Sequence, residues 1–330
     1  MADMMSRPKW LVTAAAALAV CWTGCAAAQS PAYPSRAVTL IVPFPAGGGV
    51  DAVARIVAEK MAGCLGQQVI IDNRGGVAGV IGMRVAARAA PDGYTIVMAH
   101  TGITSINPTL YANPGYDVKN EFTPIGLIAT TPIVLMTNTT FPVRTVGDLI
   151  ALAKREPGKL DVGTPPPGTG GYLSAELFKA AAGVDYTIVT YKGTGPLTND
   201  LLGGHVSIAF NVLAPAMGNL QAGTLRAVAT AGPTRLSLLP DVPTIAEAGV
   251  SNYEAVNWWG LVAPVGTPQA IIDKLNTELL AVQNAPEVQK QFALEGGEPV
   301  PMKPAVFGAY MVSEMNKWEK VVKQGGIKAE

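Results

Sequence analysis

The stretch PFPAGGGVDAVAR, residues 43–55, combines the end of an apolar strand, three glycines and the start of a helix. Gly47, Gly48 and Gly49 carry no side chain, so a ligand could approach the backbone closely at this loop. The first amides of the following helix have no intrahelical acceptor, and together with the helix dipole they favour a negatively charged group. Taken alone, this segment is equally consistent with a ligand-binding loop and with a simple tight turn.

A second loop of the same kind occurs in DVGTPPPGTGGYLSAELF, residues 161–178. It again joins an expected strand to an expected helix. Thr164 and Thr169 add hydroxyl groups, and Gly170 leaves the backbone open. Thr169 is also a typical N-cap residue, so helix capping is the alternative role for its side chain. Two such loops facing each other would bind a small carboxylate through neutral donors, and this favours a binding site formed by both.

Charged residues near these helix starts have more ordinary interpretations. Asp51 would repel an anion, and Arg55 lies at the i+4 spacing that allows an ion pair along one helix face. We therefore expect Asp51 and Arg55 to stabilise the helix. Lys192 precedes a third helix start, where a solvated position is more typical than a ligand contact.

Familiar catalytic and nucleotide-binding motifs do not occur in the sequence. The spacing G-x-G-x-x-G fails in the first loop, because Ala52 stands where the third glycine would fall, and neither a Walker A motif nor a G-x-S-x-G elbow is present. His100 and His205 are the two histidines of the chain, too few for a histidine-based metal site at a familiar spacing. We expect no enzyme activity, no metal and no cofactor.

His100 is the more interesting of the two histidines. It ends the apolar run YTIVMAH. Ligands of α/β proteins collect at the carboxyl ends of such strands. A hydrogen-bonding or packing role is the alternative, and His205 is expected to be exposed.

Short β-rich runs alternate with helical periodicity from residue 36 onward. Strands are predicted at VTLIVPF, QQVIIDN and YTIVMAH, and helices at VDAVARIVAEKMAGCLG and GVIGMRVAARAA. The alternation resumes with VRTVGDLIALAKR, KLDVGT and GYLSAELFKAAAG. This pattern predicts an α/β protein with mainly parallel sheets.

Two stretches look like connections between domains. IGLIATTPIVLMTN (125–138) is too long for one ordinary strand and is interrupted by Pro132, and AVNWWGLVAP (255–264) precedes a well-defined helix. Two crossings would form the hinge of a clamshell that closes on its ligand. Trp258, in the second crossing, could line the cleft or pack within the hinge.

This interpretation divides the chain into a discontinuous first domain and an inserted second domain. The first domain comprises residues 36–134 plus 256–330, and the second comprises residues 135–255. A single continuous sheet is also compatible with the periodicity.

The first 28 residues have the pattern of a signal peptide. Arg7 and Lys9 precede the apolar run WLVTAAAALAVCW, and small residues follow up to Ala28. We predict cleavage after Ala28 and a periplasmic location. The alternative is a lipoprotein signal at WTGC, in which Cys25 would be lipidated.

Composition limits the class of partner. The chain has 24 Lys and Arg residues, 24 Asp and Glu residues and a formal net charge of zero, so it has no electrostatic footprint for nucleic acid. Cleavage after Ala28 would leave Cys64 as the one remaining cysteine, which excludes an intrachain disulfide. We expect a monomer whose partner is a small molecule.

Six stretches of the sequence carry a resemblance to a known family. They are YPSRAVTLIVPFPAGGGVDAVAR, PDGYTIVMAH, LIALAKREPGKLDVGT, YKGTGPLTNDLLGGHV, LPDVPTIAEAGV and GLVAPVGTP. In this order they resemble the periplasmic substrate-binding proteins of tripartite tricarboxylate transporters, also called the Bug family, across residues 33–300. The resemblance implies a two-domain, type II periplasmic-binding-protein fold that closes on a small, usually carboxylated ligand. It also implies that the first loop holds one carboxylate, partly through backbone groups and water, and that the second loop holds the other side of the ligand.

The second loop departs from the family pattern. Family members commonly have Ser-x-G-x-G followed by His-Leu, whereas this chain has Thr164, three prolines and Tyr172. The prolines remove amide donors. Asn211 stands where an Asp is common, so one negative charge is missing. That change would favour a more anionic ligand or admit an amide.

We therefore interpret the chain as a receptor that captures a small carboxylate, or a related amide, and delivers it to a membrane permease of the tripartite tricarboxylate type. The alternative is a periplasmic sensor that signals to a partner protein without transport. The predicted ligand-binding residues are Phe44, Ala46, Gly47, Gly48, Thr164, Thr169 and Gly170, together with His100, Asn211 and Trp258.

Overall fold

The computed structural model describes residues 33–47, 49–76, 79–167, 169–294 and 296–327. The first compact unit, Met1–Ser35, is described only from residue 33, so the predicted signal peptide and the Cys25 lipidation site lie outside the described residues. The fold lies in the second unit, Arg36–Glu330. Among the described residues, no helix combines the length and the apolar character needed to cross a membrane.

The first third of the fold is a parallel sheet with helical crossovers. Strand β1 pairs in parallel with both β2 and β3, and parallel neighbours need a crossover connection between them. The strands are β1 Val38–Val42, β2 Val69–Asn73 and β3 Thr95–His100, and the crossover helices are α1 Gly49–Leu65 and α2 Val80–Ala87. All five elements lie where the periodicity predicts them.

A helical segment that the periodicity did not predict follows β3. The residues Gly102–Ile106 form a π-helical turn that continues into α3, Asn107–Leu110. Helix α4, Val118–Glu121, comes next and is capped by the side chain of Asp117. This segment brings the chain from the end of β3 to the start of the next strand.

Strand β4, Phe122–Asn138, joins two sheets. The prediction that this stretch is too long for one strand is wrong, because β4 runs through all 17 residues. Its first part pairs with β9, Val256–Pro264, as far as Pro132, and its last part pairs with β7, Ile208–Val212, from Ile133 onward. Pro132 therefore sits where β4 changes partners, a position where a missing N–H disturbs the ladders least.

The second sheet is built around the last part of β4. Strand β5 pairs in parallel with β6 and β7, and β8 pairs antiparallel with β4. The remaining strands of this sheet are β5 Asp161–Thr164, β6 Thr187–Thr190 and β8 Leu225–Thr230. Its helices are α5 Val146–Arg155, α6 Gly170–Ala182, α7 Thr194–Gly203, the 3-10 turn Ala214–Ala216 and α8 Met217–Gln221.

The chain returns to the first sheet through β9, which pairs antiparallel with both β3 and β4. The strand order is then β2-β1-β3-β9-β4-β7-β5-β6, with β8 and β10 also paired to β4. The elements after β9 are α9 Gln269–Asn284, α10 Pro286–Leu294, β10 Glu298–Pro299 and α11 Pro304–Gln324.

Helix α11 packs against two hydrophobic cores. Phe307 and Met311, near its start, belong to the core that includes Trp258. Trp318, near its end, belongs to the core that includes Phe178 of α6. The domain boundaries given above remain a prediction, but the end of α11 contacts the core assigned there to the inserted domain.

Glu314 anchors α11 to β9 at the junction of the two cores. Its side chain is buried, and its Oε2 accepts hydrogen bonds from the indole Nε1 of Trp258 (3.2 Å) and of Trp318 (3.0 Å). Its Oε1 pairs with the Nζ of Lys317, one turn further along α11. Removal of this carboxylate would leave two buried indole donors without their acceptor, whereas Lys317 would keep Glu254 (3.9 Å) as a partner.

We expect Glu314→Ala to lower the free energy of unfolding by about 2–6 kcal/mol, because each of the two buried indole donors left without an acceptor costs about 1–3 kcal/mol. Glu319→Ala is the matched control on the same helix, because Glu319 forms an exposed pair with Lys323. Its loss should cost less than about 1 kcal/mol. Chemical denaturation of both variants measures the difference, and equal costs would contradict the anchoring role of Glu314.

Candidate functional site

A cavity of about 400 Å³ lies between the two sheets of the fold. A volume of this order is typical of small-molecule sites. The wall formed by the first sheet and its loops comprises Phe44, His100, Gly102, Ile103, Asn107, Leu110, Tyr111 and Asn257. The opposite wall comprises Ile133, Pro165, Pro166, Pro167, Thr169, Gly170, Gly171, Thr194 and Val212.

Two helices begin at the second wall of the cavity. Gly170 is the first residue of the 13-residue helix α6, and Thr194 is the first residue of the 10-residue helix α7. The amides of a first helical turn have no intrahelical acceptor, and each helix start carries about half a positive charge. The π-helical turn also begins at the cavity. Its first N–H, that of Gly102, is already used, because it donates to the Nδ1 of His100 (3.0 Å).

The cavity has no Asp, Glu, Lys or Arg among the described residues that line it. His100 does not add a charge near neutral pH, because burial lowers the pKa of its imidazole to about 4. Its Nδ1 accepts the Gly102 N–H, so a neutral ring carries its proton on Nε2. The walls thus offer neutral polar groups and the two helix starts.

Thr169 caps helix α6 and also fixes the proline loop. Its Oγ1 donates to the carbonyl oxygen of Pro166 (2.7 Å) and accepts a long hydrogen bond from the backbone N–H of Tyr172 (3.5 Å). The capping role expected as the alternative for Thr169 is therefore confirmed. Since the same residue lines the cavity, the cap sets the position of the wall.

Close packing explains the two glycines at the start of α6. A Cβ atom on Gly170 would lie 2.0 Å from the Oδ1 of Asn257, and one on Gly171 would lie 2.7 Å from the carbonyl oxygen of Phe210. The Oδ1 of Asn257 is buried and has no hydrogen-bond partner among the described residues. Asn257 thus lines the cavity while its unpartnered amide oxygen is buried beside the start of α6.

The structure brings four of the predicted ligand-binding residues to one cavity. Phe44 and His100 lie on the first wall, where their rings meet edge to face with centroids 5.5 Å apart. Thr169 and Gly170 lie on the second wall. The two loops identified in the sequence therefore face the same space, although whether these residues bind a ligand stays a prediction.

Ala46 and Gly47 of the first loop do not line the cavity. Ala46 and Gly47 are exposed, and Gly48 lies outside the described residues. Gly47 has φ +84°, a conformation that favours glycine, and its N–H donates to the Oδ2 of Asp51 (2.9 Å). This amide is therefore already used within the protein.

Asp51 has the structural role that the sequence predicted. It is buried and pairs with the Nε of Arg55 (2.9 Å). The other carboxylate oxygen of Asp51, Oδ1, accepts a hydrogen bond from the Nδ2 of Asn73 (2.9 Å). Burial raises the pKa of Asp51, but the hydrogen bonds from Arg55, Gly47 and Asn73 outweigh it and the net pKa is lowered.

Thr164, Asn211 and Trp258 are buried behind the cavity wall and do not line it. Asn211 holds the start of α7, because its Nδ2 donates to the carbonyl oxygen of Thr194 (3.3 Å) and to the Oγ1 of Thr198 (3.1 Å). Trp258 packs against Phe307 and donates to Glu314, which places it in the core. Lys192 is exposed and also does not line the cavity.

The sequence interpretation missed Asn257, Asn107 and Tyr111 as lining residues. Asn107 and Tyr111 belong to the helical segment after β3, which the periodicity did not show. Asn257 stood in the quoted stretch AVNWWGLVAP, next to the tryptophans that drew attention instead. A polar side chain in an otherwise apolar crossing strand was the available signal.

These features define an α/β protein of two linked sheets with a cavity of small-molecule size between them. The comparison with known proteins identifies the family: the model of the tripartite tricarboxylate transporter family receptor matches residues 53–327. The chain belongs to this family of solute-binding receptors. The resemblance inferred from the six sequence stretches is confirmed.

Relatives and solved structures agree with this assignment. The chain is 35% identical over 321 residues to the UPF0065 protein in the tcbD-tcbE intergenic region of Pseudomonas sp. (strain P51), with 97% of this chain and 95% of that protein covered. It is 38% identical to the R. palustris protein Rpa4515 solved with adipate, with a TM-score of 0.77 and coverage of 90% and 99%. The periplasmic binding protein BugD is 34% identical, with a TM-score of 0.73 and coverage of 90% and 100%.

The lowered pKa of His100 predicts a pH-dependent stability. The unfolded chain binds a proton at His100 near the ordinary pKa of 6.5, whereas the folded protein does so only near about 4. Stability contributed by the neutral ring is therefore complete above pH 6.5 and declines as the pH falls towards 4, by up to about 3 kcal/mol.

We expect His100→Asn to flatten this decline, because Asn can keep an acceptor for the Gly102 N–H without titrating. Denaturation curves at several pH values between 4 and 7 measure the effect. The control is His205→Asn, since His205 is exposed and outside the cavity. Identical pH profiles for wild type and His100→Asn would contradict the prediction.

Proposed function

We propose that the protein is an exported, non-enzymatic receptor that captures a small carboxylate in this cavity and delivers it to a membrane permease of the tripartite tricarboxylate type. The observation that carries the proposal is the meeting of two helix starts at a cavity without charged side chains. Such a site attracts an anion through backbone donors and dipoles. The family assignment and the adipate bound by Rpa4515 support the same ligand chemistry.

The proposed binding mode uses α6 and α7 as the anion-holding elements. A ligand carboxylate accepts hydrogen bonds from first-turn amides near Gly170 and Gly171, with the Nε2–H of His100 facing it from the opposite wall. Thr169 keeps the start of α6 in place, and Asn211 does the same for the start of α7. Contact with both walls favours the closed arrangement of the two domains, and that closed form is the one the permease would recognise.

The proposal predicts that a small acid stabilises the protein. A ligand that binds only the native state raises the melting temperature, so a thermal-shift panel of mono-, di- and tricarboxylates, aromatic acids and their amides tests it directly. We expect a clear shift with at least one carboxylate. A panel in which no acid shifts the melting temperature would overturn the proposal.

Thr169 provides the test of the site. With the acid that gives the largest shift, Thr169→Ala should weaken binding roughly tenfold, a change of about 1.4 kcal/mol, because the start of α6 loses its cap. Thr169→Ser keeps the hydroxyl and should bind nearly as wild type. Calorimetric titration of the three proteins gives the comparison, and equal affinity of the Ala variant would place the ligand elsewhere.

A further inference from the structure

The walls of the cavity are mostly apolar. Phe44 and Ile103 lie on the first wall, and Ile133 and Val212 lie on the second beside the three prolines 165–167. Apolar surface of this kind gains free energy by covering hydrocarbon and offers no hydrogen bond to a charged group. A ligand that fills the cavity therefore presents hydrocarbon to most of its surroundings.

The proline loop is poor in hydrogen-bond donors. Three consecutive prolines remove three backbone N–H groups from the wall next to the start of α6. The carbonyl oxygen of Pro166 is occupied by the Oγ1 of Thr169 (2.7 Å). The wall therefore offers ring carbons to a ligand at the place where additional donors would be needed to hold additional carboxylates.

The positive potential at the cavity is also limited. Two helix starts supply about half a positive charge each, which matches roughly one carboxylate. No cationic side chain is present among the described lining residues to balance further charges. An ionised carboxylate placed against the prolines without a partner would carry a large desolvation cost.

We propose that the ligand is a carboxylic acid with an apolar body, and that the wall formed by Pro165, Pro166 and Pro167 excludes compact tricarboxylates. This inference rests on the function proposed above and specifies the substrate class of the same cavity. One carboxylate lies at the helix starts, and the hydrocarbon body lies along the prolines and the aliphatic side chains of both walls. A second carboxylate is tolerated where a hydrocarbon chain is long enough to carry it to the cavity mouth.

Three acids of six carbons separate the effect of charge from that of size. Hexanoate, adipate and propane-1,2,3-tricarboxylate carry one, two and three carboxylates, and calorimetric titration of the purified protein at pH 7.5 compares them in their ionised forms. We expect hexanoate or adipate to bind at least tenfold more tightly than the tricarboxylate. Binding of an aromatic monocarboxylate, together with no binding of the tricarboxylate, would support the proposal in the same way.

The outcomes distinguish this inference from the proposed function. If the tricarboxylate binds as tightly as the other acids or more tightly, the apolar-body inference is wrong and the receptor function stands. If neither these three acids nor any acid of the thermal-shift panel binds, both are wrong.

A pair of variants tests the proline wall itself. Pro167 is partly exposed at the cavity edge, so a longer side chain can be placed there. Pro167→Arg supplies the missing cation and should raise the affinity for the tricarboxylate, relative to hexanoate, at least tenfold. Pro167→Met restores the same backbone N–H as the Arg variant and has a side chain of comparable length without charge, so it should change that ratio much less than Pro167→Arg does. Equal ratios in the Arg and Met variants would show that the wall does not set the selectivity.

Discussion

The absence of charged side chains among the described residues of the cavity wall is the constraint on which the rest of the structure depends. An anion in such a place has to be attracted by the backbone. Backbone attraction is strongest where a helix begins, and two helices, α6 and α7, begin at this cavity. The second sheet produces this arrangement, because its parallel strands β5 and β6 are followed by α6 and α7 at the same edge.

Neutral side chains hold the first turns of α6 and α7 in position through hydrogen bonds. Asn211 is buried in β7 and uses its amide to hold the first turn of α7, although it does not reach the cavity. Thr169 joins the first turn of α6 to the proline loop. Neutral side chains therefore position the donors, and a charged residue that would bind a ligand directly is not needed for this purpose.

Much of this architecture could be predicted from the sequence, because strong local patterns specify it. Helix α1 and strand β1 follow apolar periodicity and a Gly-rich turn, and the Asp51–Arg55 ion pair follows from spacing alone. The π-helical turn after β3 could not be predicted, since TGITSINPTL combines Gly, Thr, Ser and Pro and forms a helix only within the tertiary structure. The apolar positions of α11 recur at helical spacing from Phe307 to Val322, so this helix was predictable, but its contact with two cores was not.

The candidate site likewise contains features that the sequence predicts and features that depend on the tertiary structure. Loops that carry Thr169 and Phe44 were recognisable because glycine, threonine and proline leave a clear local signal. The position of Asn257 depends on the register of β9 against β4, and sequence periodicity does not give the register between residues as far apart in the chain as Thr131 and Asn257. Asn211 and Trp258 were predicted as ligand-binding residues but are buried in the core. Each lies next to a lining residue, and the alternation of side chains along a strand points it away from the cavity.

The continuous path of β4 has a mechanical consequence. A strand of 17 residues extends for about 55 Å and remains hydrogen-bonded to neighbours on both sides of the point where the cavity opens. A change in the angle between the two sheets therefore bends β4 along its whole length. Helix α11 bends with it, because both hydrophobic cores pack against this helix. The free-energy cost of changing the angle between the sheets is then distributed over the many backbone hydrogen bonds of β4, and no single hinge residue carries it.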